Sequence, residues 1–183
     1  MKLVVGLIGR IASGKSVVAD HLVRERKASY YRFSDVLRDL LLRLHKPNTR
    51  ENLQDMGLAL RKVFGDGVLA ETLRRDIEED QSDLIVIDGI RYLDEFNMVR
   101  SLDGIIIYVT APEKVRYERA VGRATRGEAG ISLEEFRRSE AKKTERLIDK
   151  LGAKADYVIE NTGSIEDVKN RVDGILAEKG YVT

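Results

Sequence analysis

Short apolar runs alternate with amphipathic segments along the chain. Five runs have the length of strands, four rich in valine and isoleucine and a weaker one with two tyrosines: Leu3–Ile8, Leu84–Ile87, Ile105–Val109, Tyr157–Ile159 and, as the weaker one, Ser29–Phe33. They lack the polar alternation of a sheet with one wet face, so we expect helices on both faces. Because parallel neighbours need crossover connections, the alternation predicts a doubly wound, parallel α/β sheet.

The segments between these runs have helical spacing and recognisable start signals. Apolar residues recur at three- and four-residue steps in Val18–Val23, Val36–Leu44 and Ile165–Ile175. The expected helix starts are Ser34 and Ser164 as N-caps, Ser132 with Glu135 as a capping box, and Pro112 near a first turn. These signals support the strand and helix division.

The segment Lys46–Asp80 is mostly polar and helical, with Gly65-Asp66-Gly67 as a break. We predict two helices there, inserted between the second and third strands. Half of the positions between Glu113 and Lys150 are charged, which fits either a solvated pair of helices or a lid that handles phosphate. No linker is visible, so we expect one domain over residues 1–183.

Composition excludes several classes of protein. The 183 residues include 32 Lys or Arg and 31 Asp or Glu, a net charge of +1, which argues against a nucleic-acid partner bound through bulk charge. Cysteine is absent and the histidines are His21 and His45, which excludes thiol catalysis and a His-rich metal cluster. The apolar runs fall far short of the ~20 residues of a membrane helix, and Arg10 interrupts the first run. We therefore expect a cytoplasmic protein with no membrane partner.

A glycine-rich motif follows the first strand directly. Gly9-Arg-Ile-Ala-Ser-Gly-Lys-Ser16 satisfies the pattern G-x-x-x-x-G-K-[ST] and leads into a helix. Its glycines let the backbone wrap a phosphate, Lys15 would reach the β- and γ-phosphates, and the Ser16 hydroxyl would bind Mg²⁺. The expected nucleotide contacts are Gly9, Ile11, Ala12, Ser13, Gly14, Lys15, Ser16 and Val17. This P-loop predicts ATP and Mg²⁺ as cofactors.

Asp88 ends the third strand, Leu84-Ile-Val-Ile-Asp88. An acidic residue in this position holds the water shell of Mg²⁺ beside a P-loop. An Asp followed by Gly89 is also ordinary turn chemistry. With the P-loop next to it, Asp88 is our second expected metal residue.

A P-loop protein either hydrolyses its nucleotide as a switch or motor, or transfers the γ-phosphoryl group to an acceptor. A regulatory GTPase needs an Asn-Lys-x-Asp base reader and an Asp-x-x-Gly switch after a strand. The one Asp-x-x-Gly, Asp149 to Gly152, closes a charged helix, and Ala153-Lys-Ala-Asp156 lacks the Asn. Arginines after two strands favour the kinase interpretation, because a doubly wound sheet binds ligands at the carboxyl ends of its strands.

Those arginines stand in Phe33-Ser-Asp-Val-Leu-Arg38 and Asp88-Gly-Ile-Arg91. Here the sequence resembles the nucleoside monophosphate kinase superfamily, whose acceptor elements are Gly-Asp-x-Leu-Arg and Asp-Gly-x-Pro-Arg. Glu118-Arg-Ala-Val-Gly-Arg123 is similar to the start of that family's lid. The tail Ala155-Asp-Tyr-Val-Ile-Glu-Asn-Thr-Gly163 is similar to the last strand and adenine-side loop of dephospho-coenzyme A and deoxynucleotide kinases.

The resemblance implies a role for each matched residue. Arg38 and Arg91 would grip the acceptor phosphate bidentately. The donor nucleotide would be attended by Arg119, Arg123, Asn161 and Gly163. Arg126, with Arg137 or Arg138, would close over the transferring phosphoryl group. The implied fold is a P-loop NTPase-type sheet of strand order 2-3-1-4-5 with an acceptor cap over about 46–80 and a mobile lid over about 123–131.

The sequence leaves the acceptor open. Ile90 stands where the family has proline, and Lys46–Asp80 matches no adenylate kinase acceptor domain. The two arginines favour a nucleoside or deoxynucleoside monophosphate, which needs steering rather than a base. Asp35 could instead be the base for a ribose hydroxyl, as in dephospho-coenzyme A kinase, or orient an acceptor sugar or Arg38, or occupy a first helical turn.

A nucleotide-dependent switch ATPase is the third alternative, and we expect a monomer or small homo-oligomer.

Four other side chains are given structural rather than functional interpretations. His21 is expected at the surface or its boundary and His45 at a helix end, and Tyr30 and Tyr31 are expected in the core rather than around an acceptor base. Glu95, four residues after Arg91, would hold the arginine's guanidinium or form a surface pair.

Overall fold

A computed structural model describes residues 2–122, 132–141 and 143–181. The strands are β1 (Leu3–Ile8), β2 (Ser29–Arg32), β3 (Leu84–Asp88), β4 (Ile105–Thr110) and β5 (Tyr157–Glu160). The helices are α1 (Lys15–Arg24), α2 (Phe33–Arg43), α3 (Arg50–Phe64), α4 (Val68–Glu79), α5 (Leu93–Ser101), α6 (Glu113–Gly122), α7 (Leu133–Glu140), α8 (Lys143–Gly152) and α9 (Ile165–Glu178). Strands and helices alternate as the apolar pattern predicts.

The strands described form a parallel sheet of five, in the order β2-β3-β1-β4-β5. All six residues of the central β1 are buried, as expected of a strand covered on both faces. The predicted fold class and strand order are confirmed. In this register Leu7 of β1 lies opposite Asp88 of β3, and Asp88 lies opposite Arg32 of β2. The carboxyl ends of these strands therefore share one edge.

Each face of the sheet has its own apolar core. Alternate residues of β1 point to opposite sides, with Val5 and Leu7 in one cluster and Val4 and Ile8 in the other. The first cluster includes buried residues of α1 and α9, and the second includes residues of α2, α4, α5 and α8. The helices thus form two outer layers, which leave the carboxyl edge of the sheet for the site.

Three helix starts test the sequence signals. Ser132 and Ser164 are N-caps whose hydroxyls accept main-chain N–H groups, and both predicted starts are confirmed. The prediction for Ser34 is wrong, because α2 already begins at Phe33. Phe33 is buried in the core, and Arg32, the last residue of β2, is the N-cap, so the helix begins two residues earlier than an N-cap at Ser34 would give. The Ser34 hydroxyl instead accepts from Arg38 at 2.7 Å.

His21 corrects another prediction. It is 3% exposed rather than at the surface, and its Nε2 lies 2.7 Å from Asp173 Oδ1. The burial follows from α9, which packs against α1 and covers the ring.

Within the described ranges, no helix combines the length and hydrophobicity needed to span a bilayer. The two predicted helices of the 46–80 segment are present as α3 and α4, separated at Gly65–Gly67.

Candidate active site

The P-loop connects β1 to α1. Gly14 is the N-cap of α1 with φ +104°, and Ala12 also has a positive φ of 57°. These left-handed residues fold the loop back, and the Ser13 N–H donates to the Arg10 carbonyl at 3.2 Å. The N-cap contributes no side-chain hydrogen bond, and the first turn of α1 holds no acidic residue. The positive end of the helix dipole is therefore available to an anion.

Lys15 lies across this loop. Its Nζ donates to the carbonyl oxygens of Gly9 at 2.7 Å and Arg10 at 3.4 Å. The ammonium group thus bridges from the start of α1 to the start of the loop. A phosphate seated on the N-terminus of α1 would meet both this charge and the helix dipole.

Asn161, directly after β5, closes one side of the loop. It is 5% exposed, and its Nδ2 donates to the Ser13 carbonyl at 3.0 Å. A Cβ at Gly14 would lie 1.9 Å from that Nδ2, so only glycine permits this approach. Arg119 of α6 donates through Nη2 to the Asn161 carbonyl at 3.1 Å and its Oδ1 at 3.3 Å. The structure thus joins two predicted donor residues to the P-loop. Gly163 follows at the start of the same loop before α9, with its Cα beside Asp167.

Two buried polar atoms beside the loop have no hydrogen-bond partner among the described residues. They are Ser13 Oγ and Arg119 Nη1. Burying an unpaired donor costs free energy, which an added anionic oxygen would recover. A polyphosphate would fit these two atoms, Lys15 and the N-terminus of α1, which has no side-chain cap.

Asp88 and Ser16 are the expected metal residues. Tyr30 OH donates to Asp88 Oδ2 at 2.9 Å, whereas Asp88 Oδ1 is buried without a partner in the part of the chain described. Ser16 lies in the first turn of α1, which follows the strand next to β3. Hydroxyl and carboxylate oxygens are ligands that Mg²⁺ prefers. The described residues contain no group of three His, Cys, Asp or Glu that could hold a metal, so phosphate oxygens and water would complete the shell.

An ion-pair cluster stands at the end of β2. Asp35 Oδ1 lies 2.6 Å from Arg38 Nη1 and 2.9 Å from Arg32 Nη2. Arg32 Nε also contacts both oxygens of Asp35 at 3.2 Å. Arg32 was missed by the sequence analysis, although its place in the strand next to Asp88 would have suggested it. Asp35 therefore orients two guanidinium groups at the carboxyl edge.

The tyrosines of β2 behave differently from each other. Tyr31 is partly buried and packs against the core, as expected, and its hydroxyl donates to Asp80 at 2.8 Å. Tyr30 is 37% exposed and lies at the site, so the prediction of a core position is wrong for it. Partial burial, followed by the charge of Asp88, raises the pKa of Tyr30. Its phenol therefore stays a proton donor toward that carboxylate.

Arg91 follows β3, and Glu95 holds its main chain. Glu95 Oε2 accepts from the Arg91 N–H at 2.8 Å, and Oε1 lies 3.3 Å from Arg61 Nη2. The expectation that Glu95 forms a surface pair is wrong, because its side chain is 4% exposed. Ile90, next to Arg91, is also buried, and its side chain packs beside Gly6 in the core.

The arginines predicted for the lid divide into two groups. Arg123, Arg126 and the segment 123–131 lie outside the described residues. Arg137 and Arg138 are exposed and pair with Glu113 at 2.7 Å and Glu134 at 2.8 Å, so the structure does not bring them to the P-loop.

Two further arginines, which the sequence pattern did not suggest, tie helices α6, α7 and α8 to the P-loop. Arg10, inside the loop, donates through Nε to Asp149 of α8 at 3.0 Å. Arg116 of α6 is buried, pairs with Glu140 of α7, and donates to the Ala111 carbonyl at 2.9 Å and to the Ile11 carbonyl of the P-loop at 3.5 Å. Only the tertiary fold brings these charges together, which is why spacing did not suggest them.

Two grooves lie beside the cap helices rather than at the P-loop. One of 810 Å³ is lined by residues of α4 and α5, and one of 550 Å³ lies between α2, α3 and α4. Phe64 and Val68 line both. The smaller groove adjoins α2, the helix that carries Arg38.

A P-loop between β1 and α1 of a parallel 2-3-1-4-5 sheet defines a P-loop NTPase fold. Residues 8–137 match the family model described as AAA domain. A UPF0200 protein of Saccharolobus islandicus is 33% identical over 175 residues, which cover 94% of this chain and 91% of that protein. The chain belongs to the AAA domain family and to the UPF0200 proteins.

Solved structures show the same architecture. The shikimate kinase from Bacteroides thetaiotaomicron has a TM-score of 0.62 at 14% identity, over 96% of this chain and 98% of that one. The shikimate kinase from Aquifex aeolicus has a TM-score of 0.59 at 18% identity, over 97% and 98%. At these identities the likeness concerns the fold alone, a P-loop kinase-like fold.

Proposed function

We propose that this protein is a Mg-ATP-dependent phosphotransferase that moves the γ-phosphoryl group to a nucleoside or deoxynucleoside monophosphate. One observation carries the proposal: the carboxyl edge of a single sheet holds both a P-loop and the paired arginines at the end of β2. The kinase names of the structural neighbours support phosphotransfer to a small molecule.

On the donor side, this chain's residues would bind and orient the nucleotide. The N-terminus of α1 and Lys15 would neutralise the β- and γ-phosphate oxygens, and Arg119 would offer its buried Nη1 to the donor. Ser16 and Asp88 would hold Mg²⁺, which supplies further positive charge to the phosphates. Asn161 would keep the loop closed against β5 through its bond to Ser13.

On the acceptor side, the contacts of Asp35 favour a phosphate over a hydroxyl. Both carboxylate oxygens contact Arg32, and Oδ1 also contacts Arg38. The carboxylate is thus engaged in orienting two guanidinium groups that match phosphate oxygens bidentately. Phosphate acceptors are already largely ionised and need no base. Arg32, Arg38 and Arg91 would therefore steer the acceptor in line with the donor.

A screen of acceptors tests the proposal. ADP release is measured with each of a panel of ribo- and deoxyribonucleoside monophosphates, dephospho-coenzyme A and shikimate. We expect one or a few monophosphates to accelerate ADP release and to yield the nucleoside diphosphate. Dephospho-coenzyme A kinase activity would instead give a 3′-phosphorylated product and a severe loss on Asp35→Asn. Slow hydrolysis that no acceptor accelerates would indicate a switch ATPase and contradict the proposal.

The acceptor arginines are tested in the same assay. Arg38→Ala and Arg91→Ala should each lower kcat/KM for the acceptor roughly 100-fold, with a much smaller change in the KM for ATP. Arg43→Ala is the matched control, because Arg43 is exposed in the last turn of the helix that carries Arg38. Unchanged acceptor kinetics in both variants would show that the acceptor site lies elsewhere.

A further inference from the structure

Arg61 on α3 reaches across to the start of α5. Its Nη1 lies 3.1 Å from Asp94 Oδ2, and its Nη2 lies 3.3 Å from Glu95 Oε1. Its guanidinium carbon lies 4.4 Å from the centre of the Tyr92 ring, a cation–π distance. Since 13% of the Arg61 side chain is exposed, solvent screens these contacts only weakly.

Glu95 continues this contact to the loop after β3. Its Oε2 accepts from the main-chain N–H groups of Arg91 at 2.8 Å and Tyr92 at 3.2 Å. Burial raises the pKa of Glu95 to about 7, and Asp94 adds to that shift, whereas the two N–H donors and Arg61 oppose it. One carboxylate thus links a cap helix to the main chain of the expected acceptor arginine.

Ordinary helix capping does not account for this arrangement. Glu135 bonds Ser132 and Asp167 bonds Ser164 in the same way, but those hydrogen bonds are exposed and lower the pKa of each carboxyl. Glu95 makes its capping bonds while buried and opposite a guanidinium. Burying a charged pair carries a desolvation cost that capping alone does not require.

The loop that carries Arg91 is anchored on two sides. The N–H groups of Gly89 and Ile90 both donate to the Leu7 carbonyl, at 3.3 and 3.2 Å, which ties the start of the loop to β1. Glu95 supplies the anchor at the other end, where the chain enters α5. Loss of that anchor would free the main chain of Arg91 while leaving the β1 attachment in place.

We propose that Arg61 and Glu95 are positioning residues that hold Arg91 toward the acceptor while helix α3 is seated against α5. The inference rests on the proposed function for the role of Arg91. Withdrawal of α3 would leave the Glu95 charge buried without its guanidinium, an expensive state. The seating of the cap and the placement of Arg91 are therefore coupled.

Hydrogen exchange tests the anchor without any activity. In Arg61→Met and Glu95→Ala, we expect the amides of Arg91 and Tyr92 to exchange at least roughly tenfold faster than in the wild type. The β1 amides should stay protected, which also shows that each variant is folded. Arg74→Met is the matched control, because Arg74 pairs with Glu71 at 2.9 Å and with Glu78, both on its own helix α4. Unchanged exchange at both amides in the two test variants would overturn the inference.

A double-mutant cycle tests the consequence for turnover. Arg61→Met alone should raise the acceptor KM or lower kcat, together roughly 10- to 100-fold in kcat/KM, with little change in the KM for ATP. In an Arg91→Ala background the same substitution should have an effect of less than about threefold, because it acts through Arg91. Arg61→Lys should rescue only in part, since lysine keeps the charge but not the planar fork.

Full additivity of Arg61→Met with Arg91→Ala would overturn the inference even if both variants are impaired. If the wild-type protein phosphorylates none of the acceptors tested, the proposed function is wrong. Hydrogen exchange alone then decides whether Arg61 and Glu95 anchor the loop. The two failures are therefore distinguishable.

Discussion

The proposed donor side and the proposed acceptor side of the site are built in different ways. The donor side is one continuous stretch of chain, β1, P-loop and α1, whose main-chain groups and Lys15 act together. The proposed acceptor side consists of charged side chains from separate segments: Arg32 at the end of β2, Asp35 in the first turn of α2, Arg61 on α3, and Glu95 on α5. A local motif determines the first, whereas packing determines the second.

This difference has a consequence for mutation. Main-chain recognition tolerates changes in neighbouring side chains but not in the glycines and the lysine that shape the loop. In a side-chain network such as that of Arg61 with Asp94 and Glu95, each member is oriented by the others. Substitution of one member should therefore reduce function only in part. Four measurements test this difference.

The largest effect is expected for Lys15→Ala. Removing the ammonium group from the loop should lower phosphoryl transfer roughly 10³-fold or more while leaving the melting temperature within a few degrees of the wild type. Lys62→Ala is the control, because Lys62 is exposed on α3. An active Lys15→Ala variant would mean that the P-loop is not the donor site.

Gly14→Ala should both destabilise the fold and weaken nucleotide binding. A φ of +104° is strained for alanine. The new Cβ would also lie 1.9 Å from Asn161 Nδ2 and would force that side chain to move. Together the two effects should lower the free energy of unfolding by about 3 kcal/mol. Gly180→Ala shares a positive φ of 74° but meets nothing within 4 Å, so strain alone should cost it about 1 kcal/mol. Urea unfolding and calorimetric titration of an ATP analogue measure both. Equal losses in the two variants would argue against the Asn161 contact.

The buried Glu95 gives a pH dependence. Its pKa lies near 7 in the folded protein against an ordinary value of 4.5, so the unfolded chain releases this proton first as the pH rises. Stability should therefore fall between pH 4.5 and 7, by ~1–3 kcal/mol from this group. Glu95→Gln should flatten that slope. Urea midpoints at pH 5 and pH 8 for both proteins give the difference, and parallel profiles would contradict the assignment.

The smallest effect is expected away from the site. Gly174 is exposed inside α9, and a Cβ there would meet nothing within 4 Å. Gly174→Ala should stabilise the protein by roughly 0.5–1 kcal/mol, because alanine loses less conformational entropy in a helix. Transfer kinetics should not change. A thermal melt and the ADP-release assay check both points, and a loss of activity would reveal an unsuspected role for α9.

Much of the fold was predictable because its signals are local. The apolar run of β1, the capping box at Ser132 and the glycine break before α4 each depend on residues close together in sequence, and the structure confirms them. Ser34 failed as an N-cap because a buried neighbour, Phe33, moved the helix start. Such a shift depends on how Phe33 packs in the core, and the residues next to a helix start carry no information about that packing.

The candidate site divides along the same line. The P-loop and Asp88 were predictable because their chemistry lies in a short motif and at a strand end. The pairing of Arg61 with Glu95 was not, since 34 residues separate them. His21 likewise was buried by Asp173 and α9, which come 152 residues later. Spacing along the chain carries no information about which distant charge will become a partner.

Local sequence patterns were enough to predict the alternation of strands and helices, the P-loop between β1 and α1, and the arginines that follow two strands. How the arginines are held is visible only in the folded chain, where Asp35 lies between Arg32 and Arg38, and Glu95 lies between Arg61 and the Arg91 main chain. The two kinds of feature differ in the sequence separation of the residues that determine them. Backbone conformation responds to near neighbours, whereas the stability and orientation of a buried charge depend on groups that only folding brings within a few ångströms.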